Sequence, residues 1–204
     1  MKIIAVVWNY TDHNKEMERV DLPSEPTIFM KPDSALLKDG KPFFIPDFTT
    51  QPEYETELVF RIGRLGKNIA PKFARRYYDA VTVGIDITAR DLQQKQRSAG
   101  APWEISKAFD GSAVIGSFIP AEQFPEIQNI NFSLRINDEQ KQAGNSRDMI
   151  FPIDEIIAYV SRFFTLKIGD LIFTGTPCGV GRINVNDHLQ GYIEDKKLLD
   201  FHIR

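Results

Sequence analysis

The chain has 204 residues, 42 % of them apolar and 26 % charged, with a formal net charge of −3. That profile suits one globular unit with a full core, and it argues against electrostatic capture of nucleic acid or an anionic membrane. No apolar run approaches the roughly 20 residues a bilayer span needs, and the single cysteine, Cys178, leaves no internal disulfide and fits a reducing cytoplasm.

Residues 1–8 read as a first strand and not as a secretory leader, since no small-residue cleavage site follows. Residues 9–17 hold a short helical turn that Thr11 or Asp12 can cap. Between 21 and 54, Pro23, Pro26, Pro32, Pro42, Pro46 and Pro52 separate short apolar pieces, which predicts small strands and turns at a sheet edge or mouth. A strand over 55–62 stops at Gly63, a helix is expected over 71–80, and an apolar strand follows over 81–86. Residues 90–99 form a polar helix closed by Gly100. Strands over 112–118 and 130–136 come next, with Asn137-Asp138 as a hairpin turn into 139–142. In 152–164, Ile153, Ile156, Ile157, Val160 and Phe164 recur at the helical period, and Pro152 suits the first helical position. A buried strand over 171–174 leads into a glycine-rich loop, and 188–203 reads as a closing hairpin turning near Glu194-Asp195. Many short strands, few helices and no regular strand–helix alternation predict a strand-dominated α+β barrel or roll.

Glu55 and Glu57 sit one residue apart in a strand, so both point to one face. Two like charges side by side are costly without a positive partner, and a third acid, Asp86, ends the next predicted strand. A hard divalent cation with oxygen ligands fits the three, although the same spacing also fits the solvent face of an amphipathic strand. Apolar positions on both sides of this strand favour burial, and buried acids need a partner. His13 and Glu16 are three apart on one side of the first helical turn, the pattern of a histidine oriented by a carboxylate for general-base work. Arg90, Gln93 and Lys107 are donors able to bind a carboxylate substrate and stabilise developing negative charge, or else ordinary solvated side chains. The loop Thr174-Gly175-Thr176-Pro177-Cys178-Gly179-Val180-Gly181 lacks the spacing of either nucleotide-binding glycine motif. Its glycines, Gly175 among them, allow close backbone approach to a ligand. Cys178 has no histidine nearby in sequence and reads as a structural thiol.

Six ordered pieces carry a more specific signal: Asn9-Tyr10-Thr11-Asp12-His13, Phe29-Met30-Lys31-Pro32, Glu55-Thr56-Glu57-Leu58, Asp86-Ile87-Thr88-Ala89-Arg90-Asp91, Lys107-Ala108-Phe109-Asp110, and Thr174-Gly175-Thr176-Pro177 followed by Gly179-Val180-Gly181. In this order they resemble the fumarylacetoacetate hydrolase family, closest to its short, single-domain members, which act as acylpyruvases and oxaloacetate decarboxylases. The resemblance implies a mixed β-sandwich roll of the family's C-terminal domain type, one catalytic domain over 1–204 with a lid turn within 1–20, and a homodimer. It implies Mg²⁺ or Mn²⁺ held by Glu55, Glu57 and Asp86, with His13 and Glu16 in the lid. Lys107 joins them as a catalytic group, and Arg90, Gln93, Gly175 and Thr176 fall in the substrate pocket. The expected reaction is hydrolysis of a carbon–carbon bond in a 2-oxo acid of the acylpyruvate type, through an enolate stabilised at the metal. Oxaloacetate decarboxylation or isomerisation of a hydroxyheptadienedioate are the alternatives, and an inactive binding relative is the remote one. Trp8 departs from the residues many relatives carry at the pocket floor, and the variable segment around Glu104 and Asp110-Gly111 leaves the substrate open.

Overall fold

The computed structural model describes residues 1–16 and 22–204, so the end of the expected lid turn, 17–20, and residue 21 lie outside the described residues. Numbered in chain order, the strands form three sheets. The largest holds β1 (Ile3–Val7), β2 (Thr27–Lys31), β3 (Leu36–Leu37), β5 (Thr56–Ile62), β6 (Tyr78–Asp86), β8 (Ala113–Ile115), β9 (Ile119–Pro120) and β12 (Leu171–Phe173). The second holds β10 (Asn131–Ile136), β11 (Glu139–Asn145), β14 (His188–Ile193) and β15 (Lys196–His202). A small third sheet joins β4 (Pro52–Tyr54), β7 (Thr88–Ala89) and β13 (Gly181–Arg182). The α-helices are α1 (Thr11–Glu16), α2 (Arg90–Ala99), α3 (Glu104–Lys107) and α4 (Ile153–Phe163). This is the strand-dominated α+β roll expected from the sequence. Among the described residues no helix is long and apolar enough to cross a membrane.

The large sheet runs β2-β1-β12-β5-β6-β8-β3, with β9 alongside β6. β1 and β12 are parallel, whereas β12, β5 and β6 alternate in direction. Alternate side chains along these strands sort into two cores. Ile4, Val6, Leu58, Phe60, Ile62, Val81, Val83 and Ile85 join the larger one, together with Phe132, Leu134, Leu189 and Phe201 of the second sheet. Ile3, Ala5, Val59, Leu171 and Phe173 point the other way into a smaller one. Burial on both faces explains why β5 and β6 read as nearly continuous apolar runs. It also leaves no room at Gly84, where a Cβ would stand 2.7 Å from Val59 Cγ2 and 2.8 Å from the Val114 carbonyl.

Local chemistry sets most boundaries. Gly100 closes α2 in the left-handed conformation, as a glycine after a helix does. Asn137 and Asp138, at φ 52° and 66°, form the hairpin turn between β10 and β11. Pro152 precedes α4 as its cap and does not open it, and Ile153, Ile156, Ile157 and Val160 are buried as their spacing requires.

Three elements differ from expectation, the first being the strand expected over 112–118, which is confined to Ala113–Ile115. Residues 71–80 are not one helix: a 3₁₀ turn covers Pro71–Arg76, and Tyr78 already belongs to β6, opposite Ile62. The β5 ladder captures Tyr78 to Ala80, a tertiary pairing that outweighs local helix preference. The expected strand over 55–62 is also broken. Pro52–Tyr54 pairs within the small sheet and Thr56–Ile62 within the large one, so Glu55 lies at the bend where the chain passes between sheets.

Candidate active site

β5 and β6 are antiparallel, so the start of one and the end of the other share an edge of the sheet. Asp86 N–H donates to the Glu55 carbonyl at 2.8 Å, which places Asp86 directly beside the bend. Glu55, Glu57 and Asp86 are all buried, and each offers a carboxylate oxygen within 4.8 Å of the others. Burial first, then the charges of Asp86 and Glu55, push the Glu57 carboxyl well above its ordinary range. Its Oε2 accepts one hydrogen bond, from Gly175 N at 2.6 Å. Gly175 can turn its amide inward because φ is +94°, and a Cβ there would meet Asn9 Cβ at 2.9 Å.

Three buried cations balance these acids. The Lys107 ammonium, at the end of α3, donates to Glu55 Oε2 at 2.8 Å, Asp86 Oδ2 at 2.9 Å and Thr88 Oγ1 at 2.6 Å. Burial alone would push Lys107 down, but Asp86 and Glu55 outweigh it and hold it above its ordinary value. Burial likewise opposes the ionised form of Glu55, and the charges of Lys107 and Arg90 hold it below the usual carboxylate range. Lys31 Nζ stands 2.7 Å from Asp86 Oδ1. It also donates to the Lys107 carbonyl and to the Ser112 carbonyl and hydroxyl. Burial lowers the Lys31 pKa despite Asp86. Arg90 donates from Nε to Glu53 Oε2 (2.7 Å), from Nη2 to Glu55 Oε1 (2.6 Å) and from Nη1 to Gln93 Oε1 (2.5 Å).

The donor set fits a hard divalent cation. Glu53, Glu55, Glu57 and Asp86 face Lys31, Arg90 and Lys107, so within this group one negative charge is in formal excess. Asp86 Oδ1, buried and in ion-pair contact with Lys31, has no aligned hydrogen bond. An oxygen left this way inside a dry cluster suits a metal ligand.

Above the acids lies a cavity lined by Glu55, Glu57, Arg90, Gln93, Lys107 and Thr176, with Val6, Val7, Trp8, Arg97 and Trp103 along its sides. His13 of α1 covers it and is itself buried. His13 Nδ1 pairs with Glu16 Oε2 at 3.1 Å, and the Glu16 carboxylate accepts Gly179 N–H at 3.0 Å, so α1 is fastened to the glycine-rich loop. The root of α1 is pinned more firmly. The buried Asn9 side chain exchanges hydrogen bonds with both backbone groups of Phe151 and donates to the Thr174 carbonyl. With His13 in place the free volume is about 20 Å³, room for a water or an ion but not for an organic acid.

All the sequence-derived site residues therefore converge on one place, with two refinements. Gly175 gives its N–H to Glu57 and is held away from the cavity lining, and the guanidinium of Arg90 is largely spent on protein acceptors. Sequence reasoning missed Glu53, Lys31 and Thr88. Glu53 continues the alternation Glu53-x-Glu55-x-Glu57, and Lys31 stands in one of the six motifs, so both left a signal. Gln142 of β11 was also missed. It accepts Thr56 N–H at 3.0 Å and donates to Thr176 Oγ1 at 2.9 Å, tying the bend beside Glu55 to the glycine-rich loop.

The sequence profile described as fumarylacetoacetate (FAA) hydrolase C-terminal matches residues 2–204. The chain belongs to the fumarylacetoacetate hydrolase family. Its relatives there include the oxaloacetate tautomerase YcgM of Escherichia coli K12, 42 % identical over 92 % of this chain and 86 % of that protein. Human oxaloacetate tautomerase FAHD1, a mitochondrial protein, is 36 % identical over 98 % of this chain and 90 % of its own length. Among solved structures of the family, fumarylpyruvate hydrolase from Pseudomonas aeruginosa in complex with Mn²⁺ and pyruvate superimposes with a TM-score of 0.94 at 36 % identity, covering all of this chain and 89 % of that one.

Proposed function

We propose that this chain is a Mg²⁺- or Mn²⁺-dependent enzyme acting on a 2-oxo acid, hydrolysing a carbon–carbon bond in a substrate of the acylpyruvate type. The observation that carries the reading is the buried trio Glu55, Glu57 and Asp86, backed by Lys31, Arg90 and Lys107 and facing a cavity. Support comes from the fumarylpyruvate hydrolase structure, crystallised with Mn²⁺ and pyruvate. A divalent cation held by the three carboxylates would supply Lewis-acid polarisation of the oxygens of the 2-oxo acid.

The remaining work falls to the protein's own groups. Gln93 and Thr176 line the cavity and orient the substrate by hydrogen bonds, while Arg90 holds Gln93 and Glu55 in place. Lys107 has its three protons engaged, so it contributes positive charge in a dry site and not a free hydrogen bond. Glu16 fixes His13 through Nδ1, leaving Nε2 to take a proton from water, which then attacks the distal carbonyl. The broken bond leaves its electron pair on the 2-oxo acid fragment, where His13 returns the proton. The cavity is too small for the substrate as it stands, so α1 must lift to admit it and close again over it.

A second reading keeps these roles but ends in proton transfer within oxaloacetate. The 42 % identity to an oxaloacetate tautomerase favours it. In that case His13 moves a proton at the carbon beside the 2-oxo group and no bond to carbon breaks. Turnover of acetylpyruvate and keto–enol exchange of oxaloacetate, measured side by side on the Mn²⁺-loaded protein, separate the two. Undiminished activity in Glu55→Ala and Glu57→Ala would sink the metal site and both readings with it.

A further inference from the structure

The cations nearest the acids have little left to offer a ligand. Lys107 gives its three N–H donors to three acceptors, Lys31 is enclosed by carbonyls, a hydroxyl and Asp86, and Arg90 commits three of its five N–H donors, one from each nitrogen, to protein acceptors. Arg97 is different. It lines the same cavity and is exposed, and among the described residues its guanidinium makes no ion pair and no hydrogen bond. Arg90, Gln93 and Arg97 are spaced i, i+3, i+7 on α2 and so share one face, with the Arg97 Cα about 10 Å along the axis from that of Arg90. The end of α2 is held by the left-handed cap at Gly100, by Ala101 N–H on the Gln96 carbonyl at 2.9 Å and by the Gln96 side chain on the Pro102 carbonyl. Trp8 and Trp103, edge to face at 5.7 Å, add an apolar wall to the same cavity.

We propose that Arg97 is the specificity residue of this site and binds the far carboxylate of a 2-oxo dicarboxylic acid. The inference rests on the 2-oxo acid reading above and narrows it to diacids. One end of the substrate lies at the acid trio, its carbon chain lies against the tryptophans, and the second carboxylate meets the exposed Arg97 guanidinium, whose planar fork matches it. A monoacid of the same length leaves Arg97 in water and gains nothing from it.

Binding of 2-oxoglutarate and of 2-oxopentanoate to the Mn²⁺-loaded protein tests this, because the two share a five-carbon 2-oxo chain and differ in the distal carboxylate. Titration calorimetry should show the wild type preferring the diacid by about tenfold. Arg97→Gln should abolish that preference, and Arg97→Lys should restore part of it, with circular dichroism confirming that both variants fold. The ratio of kcat/KM for a diacid to that for a monoacid should fall in step, chiefly through KM. A wild type that binds both acids equally, or an Arg97→Gln protein that keeps its preference, overturns the role of Arg97 and leaves the 2-oxo acid reading standing. A wild type that binds neither acid overturns that reading and this inference together.

Discussion

The floor of the site and its cover are built on opposite terms. The floor consists of acids and ammonium groups at the ends of β5, β6 and α3; Glu55, Asp86, Lys31 and Lys107 each have two or more partners, Glu57 has the Gly175 amide, and all of them are buried. The cover is a six-residue helix, α1, pinned at its root by Asn9 and fastened at its far end through Glu16 and Gly179. Charge stabilisation works best when its dipoles and charges need no rearrangement during reaction, which calls for a rigid floor. Admission of substrate to a cavity of about 20 Å³ calls for a part that can leave. The division puts electrostatics on the sheet and proton transfer on the helix.

Breaking the floor should have the largest effect. Lys107→Met leaves Glu55 and Asp86 buried without their shared partner, and chemical denaturation should show a loss of about 3–5 kcal/mol with no measurable turnover. Unchanged stability would mean that the cluster is far wetter than its burial indicates. On the cover, the contrast should appear as lost rate without lost stability. His13→Gln should lower turnover by about 10²–10⁴-fold while the unfolding free energy shifts by less than about 1 kcal/mol, since α1 can detach without unfolding the sheet. A large drop in stability there would make α1 part of the frame.

Metal should act on the floor alone. Mn²⁺ at about a hundred times its dissociation constant should stabilise the protein by about 2.7 kcal/mol. The gain should vanish in Glu57→Gln and persist in His13→Gln, and a gain in both or in neither would dissolve the distinction. The smallest effect concerns the fastening. Glu16→Gln retains shape but weakens the hold on Gly179 N–H and His13, and it should cost about 1 kcal/mol of lid closure. Faster proteolysis confined to the first 20 residues would report it, and uniform cleavage across the chain would contradict it.

Much of this arrangement was legible in the residues. The close of α2 at Gly100 and the Asn137-Asp138 turn depend on local backbone preference, which a sequence displays, whereas the three acids and the His13–Glu16 pair stood out only in the ordered company of the six motifs. The break at Glu55 was not legible, because nothing in Tyr54-Glu55-Thr56 says that the chain changes sheets there. That follows from β4 pairing with β7 and β13 while β5 pairs with β6 and β12. The start of β6 was hidden for a similar reason, its ladder partner on β5 deciding against the helix that Pro71 announces. Arg97 illustrates a different limit. An arginine on a polar helix looks like any solvated cation, and only the commitment of Lys107, Lys31 and most of Arg90 to their neighbours singles it out.

The sheet order has a consequence for the way the protein is made. β1 is synthesised well before β12, yet β12 is one of its two neighbours and also separates β1 from β5. Contacts this distant in sequence close late and slow folding. Until β12 emerges, one edge of β1 stays open to pairing with other chains, and the loop that delivers Gly175 to Glu57 does not exist. A nascent chain can thus carry all three metal-binding acids and still have no finished place for an ion. Arrival of β12 and the loop behind it, and not the appearance of the ligands, is the event that creates the site.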